Sequence, residues 1–492
     1  MQYIIGIDIG TTHTKAVVTD TAAVVLSEFK SGYPSLQPQP GYHEQDPSQI
    51  LQAVVEVLSL AIRSVPADEE IAVISFSAAM HSLMAVDEQG QPLTNLWTWA
   101  DTRSQSVADS LKETPAGHRI YELTGTPVHP MSPLCKITWM KQEMPEQFMA
   151  AHKFISGKEY VVHQLTGHYI IDTALASATG LLDVRTLDWC AEAVSFAGIT
   201  PAHLSVLAEP GDPLPPLKKE YADLFGVAAD IRFINGGSDG SLANIGAGAV
   251  LPGEVALTVG TSGAIRVLSN QPIHDMERRL FNYRLDKETY LPGGAINNGG
   301  ILLQWFIDTF TDNIKPFKDY LNELLPQVAA LGPGSAGLIF LPYIHGERAP
   351  VWDAGASGIF TGIKAMHTRA HFLRAVMEGV AFSLREILEA LDENRVIINS
   401  LYAGGGFIES PEWLRIVTDV LDKTVHVSHA ADASAMGAIY TGMKAIGRLK
   451  DWKEIKQFMR EEEIFKPDAA VHALYEPNYR IYRRLYRQSI RS

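Results

Sequence analysis

The stretch YIIGIDIGTTHTKAVVTDTAAVVLSEF, residues 3–29, decides how the rest of the chain is read. Apolar residues run up to Asp8, then Gly10 and two threonines follow, and a second β-prone run begins. The pattern predicts a hairpin whose first strand ends on a carboxylate. A buried, unpaired carboxylate costs several kcal/mol, so something must compensate for it. An Asp that caps its own turn is one solution. A phosphate or metal site at the strand end is the other.

A second hairpin pattern, GEVALTVGTSGAIRVL, occupies residues 253–268. IGTTHTKAVV (9–18) and VGTSGAIRVL (259–268) both read apolar-Gly-Thr-(Thr/Ser), followed by a β-run containing a basic residue. The echo falls near half the length of this 492-residue chain, which points to an internal duplication. Two similar domains are therefore expected, 1–247 and 248–492, each presenting a Gly-Thr tip. A glycine at a hairpin tip lets backbone N–H groups approach an anion, and Thr or Ser hydroxyls add donors. Two tips facing each other across a cleft can hold a triphosphate from both sides. The G-x-x-x-x-G-K-[ST] signature is absent, so this is not a P-loop chain. Mg²⁺, which usually keeps several waters, would join Asp8 to the phosphates and compensate the buried charge.

A third glycine signal lies in LYAGGGFIESPEWLRIVTDVLDKTV, residues 401–425. Without side chains at Gly404, Gly405 and Gly406, a flat ring such as adenine can lie against the backbone. Elsewhere, Asp46 and Pro47 start a helix over 47–64, with Ile50, Val54, Leu58 and Ile62 on one face. IAVISFSA (71–78) reads as a buried strand. The alternation of strands and helices favours an α/β fold. The Arg- and Tyr-bearing tail, residues 478–492, reads as an amphipathic helix that packs Tyr479, Tyr482 and Tyr486 and leaves its arginines in solvent.

The net charge of −15 argues against nucleic-acid and anionic-membrane partners. Cys135 and Cys190 are the only cysteines, which suits a reducing cytosol. The start of the chain lacks the features of a signal peptide, and no apolar stretch is long enough to span a membrane. A cytoplasmic enzyme is the expectation, with a homodimer left open.

At this point the motifs resemble those of the FGGY carbohydrate kinases. MSPLCKITWMKQE (131–143) carries one family signature, and GIFTGIKAMHTRAHFLRAVME (358–378) carries the other. GGFIESPEW (405–413) fits the family's Gly-Gly-x-x-x-Ser-x-x-Trp pattern. The resemblance implies two actin-like, ribonuclease H-like ATPase domains flanking a deep cleft, with ATP and Mg²⁺ as cofactors. It implies phosphate loops at Gly10, Thr11, Thr12 and Lys15 and at Gly260, Thr261 and Ser262, with an adenosine loop at Gly404–Gly406. It also makes Asp239, in GGSDG, the catalytic base, with Asp8 and Asp239 as metal ligands. An Asp flanked by glycines between a strand and a helix can reach a bound hydroxyl unobstructed; alone, it would read as a helix cap. A sensing or polymerising relative without catalysis would have lost Asp239 or a tip glycine, and all are present.

Polar clusters that end successive elements suggest the acceptor pocket. SFSAAMHS (75–82) supplies Met80 and His81, and LWTWADTRS (96–104) supplies Trp99, Asp101 and Arg103. TGTPVHPMSP (124–133) adds His129, and HGERAPVWD (345–353) adds Glu347 and Arg348. Within the family the combination most resembles the bacterial gluconate kinases, which implies a sugar acid as acceptor. A pentulose such as xylulose, or another polyol, is the alternative. A carboxylate-bearing acceptor needs positive charge, for which Arg103, His81 and His129 are the candidates.

Overall fold

Strand β1 (Gln2–Ile9) is buried from Ile4 onward, as its run of isoleucines requires. It pairs antiparallel with β2 (His13–Asp20), which pairs with β3 (Val25–Gly32). On its other side β4 (Glu70–Ala78) adds in parallel. Helix α1 (Pro47–Ser64) starts at Asp46, whose carboxylate accepts from the Ser48 N–H, and buries Ile50, Val54, Leu58 and Ile62. Helix α2 (Pro133–Glu143) follows, and β5 (Phe233–Ser238) completes the order β5-β4-β1-β2-β3. Helix α3 (Asp239–Gly246) leaves β5 directly. The computed structural model describes residues 2–312, 314–427, 432–459 and 463–489.

The second half repeats the plan. Strands β6 (Glu254–Val259) and β7 (Gly263–Val267) form the second hairpin, and β8 (Tyr290–Ile296) extends it antiparallel. Strands β9 (Ser400–Gly404) and β10 (Thr424–Val427) add in parallel on the other side of β6. The core order is β8-β7-β6-β9-β10, flanked by edge strands Phe281–Arg284 and Glu463–Phe465. Position for position this is the first sheet again. The duplication read from two hairpin tips is thus a duplication of whole five-stranded cores.

The boundary expected at 247/248 falls between α3 and β6, but packing does not divide there. Helix α4 (Ala433–Ala445), from the second half, lies on the first sheet. Its Ala435, Ile439 and Met443 join Ile4, Val73, Ile234 and Leu242 in one buried cluster. Helices α3 and α4 cross with their backbones nearly touching. A Cβ at Gly246 would stand 1.8 Å from the Ala433 carbonyl oxygen, and one at Gly437 would stand 2.1 Å from that of Leu242.

Helix α5 (Ala469–Ser489) closes the chain as the tail pattern predicts, with Tyr479 and Tyr482 buried and Tyr486 half-buried. Arg480 and Arg484 are exposed, and Arg483 lies 3.3 Å from Glu389. The side chains at 487 and 491 lie outside the described residues. Both cysteines are buried and free, and no described helix is long and apolar enough to cross a membrane.

The helix crossing yields a stability prediction. Gly437→Ala must push α3 and α4 apart, and overpacking of this kind costs about 1–3 kcal/mol. Denaturant melts should show a loss of that size. Because Asp239 rides on α3, turnover should fall by more than the folded fraction does.

Candidate active site

Both glycine tips border one cleft of about 260 Å³, whose lining includes Thr11 from the first and Gly260, Thr261 and Ser262 from the second. The tip carbonyls are occupied. Gly10 O accepts from the Tyr33 hydroxyl and Thr11 O from Gln45, both at 2.6 Å, while Gly260 O accepts from Gly300 N at 2.6 Å. Among the described residues no backbone bond takes up the N–H groups of Thr11, Thr12, Thr261 or Ser262. The tips therefore present donors, as an anion cradle requires.

Gly404 and Gly406 border open space, and Gly405 adopts φ 90°. A Cβ on Gly405 would come within 2.5 Å of the Val259 carbonyl oxygen. The glycine triplet is thereby seated against the strand end that leads into the second tip.

Asp8 is buried at the end of β1, its Oδ1 accepting from the Ser77 hydroxyl at 2.6 Å. Burial, with Asp432 and Asp239 facing it, pushes the Asp8 carboxyl up to about 7 against Ser77 and Lys15. Lys15 does not extend into the cleft; its Nζ pairs with Asp432 at 2.5 Å. Asp432 also caps α4 by accepting from the N–H groups of Ser434 and Ala435. Asp239 is the first residue of α3 and not its cap. Ser238 caps that helix, accepting from Ser241 N. The Asp239 carboxylate accepts from Gly240 N at 2.7 Å. Burial raises its pKa, opposed chiefly by Arg266 and then by the Gly240 and Met80 N–H groups.

Among the described residues no group of three or more His, Cys, Asp or Glu side chains gathers as a metal site. Mg²⁺ characteristically takes one or two carboxylates, waters and substrate phosphates. A buried Asp8 that holds its charge poorly, with Asp239 in electrostatic reach, fits that ion.

Of the residues expected around the acceptor, Met80, His81, Trp99 and Asp239 line the cleft together with Arg348. Asp101, Arg103 and His129 do not line it. Arg103 is committed elsewhere. Its guanidinium bonds Asp101 at 2.8 Å and Glu44 at 2.5 Å, and it lies over the rings of Tyr42 and Trp97. Asp101 is fully buried and also accepts from His43 N. Together the pair fixes its loop.

The histidines offer no positive charge either. Burial, with Arg348 and Lys136 nearby, holds the His81 pKa down at about 3, and His129 is held well below its ordinary value by burial and Arg348. Without an acceptor bound, Arg103 is paired away from the cleft and both histidines are held neutral by burial and neighbouring cations.

Two other cationic side chains line the cleft. Arg266 of β7 and Arg348 both line the cleft, both are more than 90% buried, and in both Nε lacks a partner among the described residues. Arg348 was visible as a candidate in the sequence. Arg266 was visible only as a basic residue in the second hairpin, since its side-chain direction depends on register. Lys136 was also missed as a positioning group. Fully buried on α2, it donates to the carbonyls of His81 (2.7 Å) and Thr98 (2.6 Å), tying together the two loops that carry His81 and Trp99. Its signal was a lysine among Leu134, Cys135 and Ile137 on an otherwise buried face.

Residues 3–246 match the N-terminal domain of the FGGY family of carbohydrate kinases, and residues 255–446 match its C-terminal domain. The gluconokinase of Bacillus subtilis (strain 168) is 40% identical over 468 residues, covering 93% of this chain and 90% of the relative. A solved structure of a gluconate kinase from Lactobacillus acidophilus is similar at TM-score 0.92 and 36% identity, covering 99% of this chain and 98% of its own. A ligand-bound xylulose kinase from the same organism is similar at TM-score 0.93 and 36% identity, with the same coverage.

The Asp8 carboxyl makes the ligand-free fold sensitive to pH. Its folded pKa of about 7 exceeds the ordinary 3.8, so between those values the folded state binds more protons than the unfolded state. Stability should therefore fall as pH rises through that window. Melting temperatures measured from pH 5 to 8 should decline, and Asp8→Asn should flatten the slope. An unchanged slope in the variant would show that Asp8 is not the group responsible.

Proposed function

Because the chain belongs to the FGGY family of carbohydrate kinases, we propose that it transfers the terminal phosphoryl group of ATP to D-gluconate, giving 6-phospho-D-gluconate. The observation that carries gluconate over a neutral sugar is the charge of the cleft lining. Two buried guanidiniums, Arg266 and Arg348, stand there against a single carboxylate, Asp239. A sugar acid brings an anion that either guanidinium can bind, an interaction a neutral polyol does not offer. The Bacillus relative supports the same acceptor. Similarity to the xylulose kinase structure keeps a pentulose as the second reading.

Phosphoryl transfer needs little covalent help from protein; positioning and charge do most of the work. Asp239, whose pKa burial raises against the opposing pull of Arg266 and two N–H groups, orients the acceptor hydroxyl and takes its proton at a carboxylate oxygen. The free N–H groups at 11–12 and 261–262 hold the nucleotide phosphates from the two domains. Asp8 and Asp239 would hold Mg²⁺, which would supply neutralising charge to those phosphates. The adenosine moiety lies along Gly404–Gly406, where no side chain obstructs it.

The test is ADP release from the purified protein over a panel of sugars and sugar acids. A charge-assisted hydrogen bond contributes about 1.5–3 kcal/mol, so gluconate should exceed xylulose, ribulose, glycerol and sorbitol by roughly 10–150-fold in kcat/KM. Xylulose ahead of gluconate would overturn the acceptor and leave the kinase standing. Asp239→Asn keeps the shape but cannot take the proton, so turnover should drop by about 10²–10⁴ with ATP affinity little changed.

A further inference from the structure

We infer that Arg266 is the residue by which this cleft selects an acid: its guanidinium, in a lining it shares with Arg348, receives the carboxylate of the acceptor. The inference rests on the gluconate reading above and names the group that would enforce it.

Three observations carry it. First, Arg266 is only 9% exposed, its Nε has no partner among the described residues, and it opens on the cleft. A buried guanidinium without a full set of acceptors is costly unless a ligand completes it. Second, the position is built. Arg266 crosses the first turn of α3 where Gly240 leaves room, since a Cβ there would stand 2.9 Å from both Nε and Nη2 of Arg266. That end of α3 carries positive helix dipole, a poor resting place for a cation in the absence of anions. Asp239 is one such anion and the chief charge acting on Arg266, yet the Arg266 Nε still has no partner among the described residues. Third, Arg348 is less free to change partners. Its Nη2 donates to Ile296 O at 2.9 Å, and its guanidinium stacks over Trp99 at 4.7 Å, with Glu347 adjacent in the chain. Arg348 therefore forms a fixed wall, and Arg266 holds the open fork. A planar fork is well matched to a carboxylate.

The same fork also suits a phosphoryl oxygen, because Arg266 belongs to the hairpin that carries the second tip. The experiment separates the two sources. Steady-state kcat and KM are measured for gluconate, xylulose, sorbitol and ATP in the wild type, Arg266→Gln and Arg266→Lys, together with calorimetric binding of gluconate without nucleotide. For Arg266→Gln the expected result is a rise in gluconate KM, and in its dissociation constant, of roughly 10–150-fold. The preference for gluconate over xylulose should collapse by a similar factor while the KM for ATP stays in place. Arg266→Lys keeps the buried charge, and with it the folded state, but loses the fork; it should show the same selective loss at smaller size. A fall in kcat shared by every acceptor, or a raised KM for ATP, would overturn the inference and assign Arg266 to the transferring phosphoryl group. A wild type that prefers xylulose would instead overturn the functional reading before any variant is made.

Discussion

The contact on which the rest of the molecule depends is the side-chain-free crossing of α3 and α4. Gly246 and Gly437 let the two backbones meet, and Gly6 of β1 lets α4 settle onto the first sheet, since a Cβ there would stand 2.5 Å from Ala435 O. The crossing joins the two halves of the chain through packing as well as through the covalent link at 247/248. It also sets the active site. The N-termini of both helices arrive at the cleft, with Asp239 opening α3 and Asp432 capping α4. Ser434 Oγ reaches Asp239 O at 3.4 Å, so the two ends are neighbours. Two positive helix ends converging on one cleft form a field suited to phosphate before any side chain is counted.

Against that field, the charged side chains are held at a cost that only ligands can remove. Burial drives Asp8 and Asp239 toward their neutral forms, and it drives Arg266 and Arg348 the same way, Arg348 down to about 10. Lys15 and Asp432 relieve one another directly. An arriving nucleotide with its cation, and an arriving acid, would each supply the partner that a buried group lacks. Binding energy of that origin is available for closing the domains and excluding water, which competes as phosphoryl acceptor.

What the sequence made legible was whatever depends on backbone and spacing. The two tips, the internal duplication, the glycine triplet and the strand-to-helix position of Asp239 all follow from glycine placement and periodicity. What it left hidden was the state of charged and ionisable side chains. Arg103 and His129 have the chemistry an acid site needs, yet Arg103 is locked to Asp101 and Glu44 and His129 is packed against Trp352, buried and neutral. Arg266 carries no more signal in the chain than Arg103 does. Only the register of β7, which turns Ala264 and Arg266 toward the cleft, separates them. The seating of α4 on the first sheet was equally invisible, because an apolar helix face does not specify which of two similar sheets will cover it.

The duplicated cores differ at the strand ends that border the cleft. Strands β4 and β9 occupy equivalent places, each parallel to the first strand of its hairpin. The end of β4 is filled: Met80 and His81 follow it, with His81 at φ 64° and its carbonyl pinned by Lys136. The end of β9 is emptied: Gly404, Gly405 and Gly406 follow, two of them facing open space. The hairpins diverge in the same sense, for two residues before each tip glycine the first carries Asp8 and the second Thr258. With Asp239 and Asp432 already raising the Asp8 pKa, a further carboxylate at the twin position would add repulsion to a site that strains to hold its charge. On the proposed function, the filled strand end would face a hydroxylated acceptor and the emptied one a flat ring, so that with a single acidic tip a symmetric pair of domains becomes a site with a direction.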